Sequence, residues 1–219
     1  MTTKGLYTKG EERFNYWSHG LAAQISVVAA FWLIKSGIAA DNYWVLFSVA
    51  VFSFTLIFTF LTSTLYHWAE KPRLKERFRL IDHLAIYLMI AGSYTPFTLV
   101  SLRDNWGITA FILIWTLTLI AMVFKLSIRK NLSKYYRVDA AIYVALGCVA
   151  IFFMKPIVQT LETPCFLLVL FGGLSYLVGV FFYMWNKLPY NHGIWHIFVI
   201  LGAGLHYSSI LFYVVPNPS

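Results

Sequence analysis

Residues 190–214 read Tyr-Asn-His-Gly-Ile-Trp-His-Ile-Phe-Val-Ile-Leu-Gly-Ala-Gly-Leu-His-Tyr-Ser-Ser-Ile-Leu-Phe-Tyr-Val. No Asp, Glu, Lys or Arg interrupts the run, and about 20 mostly apolar residues suffice for a helix to cross a bilayer. If the run is a helix, His192 and His196 share a face one turn apart and can hold one metal ion between them. On a soluble helix such a pair is usually solvated surface. In a spanning helix the balance reverses, because ionisable groups there are costly, face the protein interior and mark function.

The rest of the chain supports the membrane reading. Of its 219 residues 59% are hydrophobic, 19% aromatic and only 12% charged, with a mean hydropathy of +0.68. Soluble domains average about half apolar and a quarter charged. The expected class is therefore all-α, an integral membrane bundle. Met1 to Arg13 is polar and the first apolar run is long enough to span, so no cleavable signal peptide is expected. Cys148 and Cys165 have no C-x-x-C spacing and read as small packing residues rather than metal ligands or a disulfide framework. A net charge of +8 could point to nucleic acid, but the basic residues gather in short loops between apolar runs, which is an orientation signal and gives no nucleic-acid surface.

Seven runs are long enough to span: Tyr16 to Ser36, Tyr43 to Tyr66, Leu80 to Leu102, Gly107 to Leu126, Val138 to Met154, Pro164 to Trp185 and Tyr190 to Val214. Trp17, Trp44, Trp68, Trp106 and Trp185 fall at run ends, where an indole keeps its ring in the apolar layer and its N–H among headgroups. Lys4, Lys9 and Arg13, the loop after run two (Lys71, Arg73, Lys75, Arg77, Arg79), the loop after run four (Lys125, Arg129, Lys130, Lys134, Arg137) and Lys187 share one side. Lys35, Arg103 and Lys155 lie on the other. This asymmetry predicts a cytoplasmic N-terminus and an outside C-terminus. The expected organisation is one domain over residues 1–219, with a cytoplasmic segment 1–15, a bundle 16–214 and an outer tail 215–219. Pro96 predicts a kink in run three by freeing the Gly92 carbonyl, and Gly172, Gly173, Gly202 and Gly204 predict close helix approach or a looser helix.

Alternating helix direction then brings polar residues to one membrane depth. Ser63 and His67 end run two, Asp82 and His83 open run three, His192 and His196 open run seven, and Glu12, Asn15 and His19 open run one. A catalytic zinc usually takes three protein ligands, a count that His67, His192 and His196 fill from two helices. Asp82 would orient a water or accept its proton, and Ser63, one turn before His67, could hydrogen-bond a ligand or a developing oxyanion. Plainer roles compete at each position. The three histidines could be interfacial, and Asp82 could sit in a first helical turn and answer the helix dipole. His83, about 100° around the helix from Asp82, reads as structural. His206 lies ten residues past His196, about 15 Å up the helix, and reads as a hydrogen-bonded interior residue. Glu12 and Asn15 read as a helix-entry cap and polar glue.

Four segments carry a family resemblance: Glu12-x-x-Asn15-x-x-x-His19, Ser63-x-x-x-His67, Asp82-His83-x-Ala-Ile-Tyr-x-x-x-Ala-Gly-Ser93-Tyr94-Thr95-Pro96-Phe97, and Pro189-Tyr-Asn-His192-Gly-Ile-Trp-His196. In this order and spacing the chain resembles the bacterial hemolysin III branch of the progestin and adipoQ receptor family, grouped with alkaline ceramidases in a wider superfamily of membrane hydrolases. The resemblance implies seven helices, a cytoplasmic N-terminus and a zinc ion on the residues matching His67, His192 and His196. It also implies that Asp82 contacts the zinc-bound water and that Ser63 lies beside the site. The long N-terminal extension of the animal receptors is missing here, so their hormone and cytosolic partners are not carried over. The expected function is zinc-dependent hydrolysis of a lipid amide or ester in the bacterial inner membrane, ceramidase-like, with a membrane lipid as substrate. The alternative is a non-catalytic sensor of membrane state or regulator of lipid homeostasis with structural zinc. A cytolytic hemolysin ranks last. The sequence sets no oligomeric state.

Overall fold

The structure is a computed structural model that describes residues 7–129 and 134–216. Lys4 and Lys130 of the charge count, and residues 217–219 of the expected tail, lie outside the described residues. Among the described residues there is no strand, and seven spans are long and apolar enough to cross a membrane. The elements are α1 (Lys9–Ala39), α2 (Tyr43–Trp68), α3 (Pro72–Pro96), α4 (Ile108–Ser127), α5 (Tyr136–Gly147), α6 (Met154–Thr160), α7 (Thr163–Met184) and α8 (Asn191–Ser209). A 3₁₀ stretch, Cys148–Phe153, joins α5 to α6 into the fifth span, and π-helical turns extend α3 over Phe97–Ser101 and α8 over Ile210–Val214.

Local chemistry explains why the helices outrun the apolar runs. Thr8 caps α1 through a capping box with Glu11, so the helix starts at Lys9, seven residues before the apolar run and far enough to carry Glu12 in its first turn. Pro72 opens α3, where its missing N–H costs nothing. Asp82 therefore lies ten residues into α3, about 15 Å from its start. The first-turn role open to Asp82 from sequence is overturned, since a helix dipole acts only within the first turn. At Pro96, where a kink was expected, α3 passes into a π-turn over Phe97–Ser101.

α2 and α3 are the most enclosed spans. They approach so closely at Gly92 that a methyl there would collide with the Thr55 side chain. Ala22, Leu33, Val49, Phe52, Phe60, Ala203 and Ile210 form one apolar cluster among α1, α2 and α8, and Tyr87, Ala91, Ile114, Ala121 and Leu146 form a second among α3, α4 and α5. Large apolar side chains such as Ile25, Phe31, Ile120, Val123, Phe152 and Phe181 face outward, as a bilayer rather than water requires. The chain is a multi-pass membrane protein.

Candidate metal centre

His67 lies in the last turn of α2, and His192 and His196 occupy the first two turns of α8. All three are buried, and one ligand nitrogen from each lies within 4.8 Å of the others. Ring centroids stand 5.0 Å apart for His67–His192, 5.2 Å for His67–His196 and 4.6 Å for His192–His196. The Nε2 atoms of His67 and His192 face each other at 3.1 Å. Two nitrogens on one tetrahedral zinc, each about 2.0 Å from it, would be about 3.3 Å apart.

Neighbouring groups hold two of the rings in a ligating tautomer. His67 donates Nδ1–H to Glu12 Oε2 at 2.7 Å, which leaves Nε2 as a lone pair turned inward. Lys75 Nζ holds the other Glu12 oxygen at 3.0 Å. Ser18 Oγ donates to the Asn15 carbonyl at 3.0 Å, so its lone pair accepts Nδ1–H of His196 at 3.1 Å. His196 Nε2 then points inward, buried and without a protein partner. A ring oriented through one nitrogen by a carboxylate or hydroxyl, with the other nitrogen free, is what a metal ligand needs. The donor set fits a divalent metal of the zinc class.

Tyr7 covers this end of the bundle. Its ring stacks on His192, with centroids 4.8 Å apart and planes 28° apart, and lies 5.9 Å from His67. Burial, followed by the nearby Tyr183 and Tyr66 hydroxyls, pushes the Tyr7 hydroxyl well above its ordinary pKa, so it stays neutral. Asp82 and Ser63 are both buried. The Ser63 hydroxyl interacts with the Asp82 carboxylate but makes no well-formed hydrogen bond. Asp82 stands outside the trio's 4.8 Å group.

Two features escaped the sequence reading. Glu12, read from sequence as a helix-entry cap, is not the cap, which Thr8 and Glu11 form; it orients His67 instead, and its spacing from Asn15 and His19 along one α1 face was the available signal. The second is a buried polar cluster behind the site. Lys125, counted above as a loop charge, is fully buried in α4 and pairs with Asp139 of α5. Lys125 Nζ also donates to His83 Nδ1 at 2.8 Å, and Tyr87 donates to Asp139 at 3.4 Å. His83 thus joins this cluster and stands outside the histidine trio. The signal was one Lys and one Asp near the ends of otherwise apolar runs. His206 meets the Val169 carbonyl at 3.2 Å, an interior hydrogen bond as expected. Both cysteines are free; Cys165 is buried and Cys148 partly so.

Comparison with known proteins identifies the family. A profile of the family described as Haemolysin-III related matches residues 7–207, which include every site residue above. Hemolysin-3 of Bacillus cereus is 36% identical over 219 residues, covering 100% of this chain and 98% of the relative. The Hemolysin-3 homolog of Bacillus subtilis (strain 168) is 36% identical over 216 residues, covering 97% and 99%. Monocyte to macrophage differentiation factor of Homo sapiens is 26% identical over 218 residues, covering 95% and 87%. A family match over nearly the whole length, with relatives of the same extent, means that this chain belongs to the haemolysin-III-related family.

Proposed function

We propose that the protein is a zinc-dependent hydrolase of the bacterial inner membrane that cleaves a lipid amide or ester, ceramidase-like in its chemistry. The observation that carries this reading is the convergence of three buried histidine nitrogens within 4.8 Å, two of the rings being oriented by Glu12 and Ser18. Three histidines are the ligand count of a catalytic zinc; a structural site closes with four. A bound zinc ion supplies Lewis acidity, polarising a carbonyl and making water acidic near neutral pH. His67, His192 and His196 are the residues that hold it.

The other side chains position and move protons. Asp82 is the proton acceptor and donor of the site, and Ser63 beside it offers a hydroxyl to an oxygen that gains charge. The bundle keeps bulk water out, and an acyl chain enters sideways from the bilayer. The loop charges put this end of the bundle, and the N-terminus with it, on the cytoplasmic side.

Elemental analysis of the purified protein and its His67→Ala, His192→Ala and His196→Ala variants tests the ligand set. The wild type should carry about one zinc per chain and each variant far less, with lower thermal stability. Unchanged metal content in His192→Ala would overturn the set. Fatty-acid release from amide and ester lipids tests the activity, and Asp82→Asn should abolish release while zinc stays bound.

The stacking of Tyr7 on His192 favours a second reading, a membrane-state sensor or regulator of lipid homeostasis braced by structural zinc. Full zinc content with no release from any amide or ester lipid would select it. The relatives' names point to cytolysis, which ranks last because the polar groups here turn inward on one another.

A further inference from the structure

One α1 face carries polar groups that the metal centre leaves unused. Asn15 and His19 are four residues apart, one turn, and both are essentially inaccessible. His19 lies face to face on His196, with centroids 3.5 Å apart and planes within 8°. It is therefore level with a ligand ring, yet it stands outside the group of three ligand nitrogens. One of its nitrogens comes near the His196 main chain, but neither forms a hydrogen bond of acceptable geometry, and neither does Asn15 Oδ1 or Nδ2. Buried polar atoms left unpaired are costly, so a protein that retains four of them together has a use for them. Packing alone would be served by Leu and Phe.

We propose that Asn15 and His19 form the hydrogen-bonding subsite for the polar group of the lipid ligand, alongside the metal. The inference rests on the metal-centre reading and adds the chemistry of what that centre recognises. A carboxamide offers two donors and an acceptor, and a neutral imidazole offers one of each. Neither carries a permanent charge. The matching ligand is an uncharged group with both an acceptor and an N–H or O–H donor. A fully ionised phosphate offers acceptors alone, and a quaternary ammonium offers neither donor nor acceptor.

Zinc-loaded protein and two zinc-binding probes of equal chain length test the subsite. Octanoyl hydroxamic acid presents a carbonyl, an N–H and an O–H, whereas octanethiol presents sulfur alone. In Asn15→Leu and His19→Phe, zinc content should match the wild type. Hydroxamate affinity should fall about tenfold or more, the worth of one or two hydrogen bonds, while thiol affinity changes less than about twofold. His19→Gln, which keeps a donor and an acceptor, should fall less than His19→Phe. Equal losses for both probes, or none for either, would overturn the proposal while leaving the metal centre intact. Wild-type protein that holds no zinc would instead overturn the metal reading beneath it.

Discussion

The side chain that decides most is Glu12, because it converts a histidine at a helix end into an oriented ligand. A His67 ring free to rotate would present either nitrogen or neither; the 2.7 Å contact to Glu12 selects one. Glu12→Gln keeps the shape and removes the charge. Partners of this kind are worth about 10- to 100-fold in metal affinity. Zinc affinity of Glu12→Gln, measured by competition with a chelator, should fall by about that factor with little change in fold by circular dichroism. Tyr7 acts differently, as a cover that touches His192 without orienting it. Tyr7→Ala should therefore leave equilibrium zinc content near that of the wild type and speed stripping by EDTA several-fold. Equal stripping rates would show that the ring seals nothing.

At the scale of helices, α3 is the element with two jobs. Asp82 faces the side of Ser63, while His83, the next residue, joins Lys125 and Asp139 between α4 and α5. The ion pair behind the site thus fixes α4 and α5 against the helix that carries Asp82. A buried pair resists loss of one partner far more than replacement of both, since a lone buried charge costs about 3–5 kcal/mol. Lys125→Met alone should lower the thermal midpoint in detergent sharply, and Lys125→Met with Asp139→Leu should recover most of it. A double variant as unstable as the single one would mean that packing, rather than charge, is what the pair supplies.

For the whole molecule, the charge asymmetry makes a prediction about sidedness. Burial of Lys125 removes one residue from the basic side but leaves the excess intact, so the expected orientation is unchanged. In a variant with Cys148 and Cys165 replaced by Ser, a cysteine at Lys71 should react with a membrane-impermeant thiol reagent only from the cytoplasmic face. A cysteine at Lys155 should react only from the outside. The reverse pattern would place the metal centre on the periplasmic side.

The seven runs, the membrane class and the pair at His192 and His196 were legible in the amino-acid order, since hydropathy and the 3.6-residue period are local properties and no soluble fold needs so long an uncharged stretch as 190–214. His67 could be brought to the pair because alternating spans fix which ends meet. Other features depended on contacts between distant segments. Glu12 against His67, His19 face to face with His196, and Lys125 withdrawn from its loop to meet Asp139 are set by how helices rotate and lean on one another. Helix starts also escaped hydropathy, because Thr8 and Pro72 begin α1 and α3 in polar sequence through backbone capping and φ restriction. One-dimensional order thus determined which residues reach the same membrane depth, and only tertiary packing decided which of them face one another there.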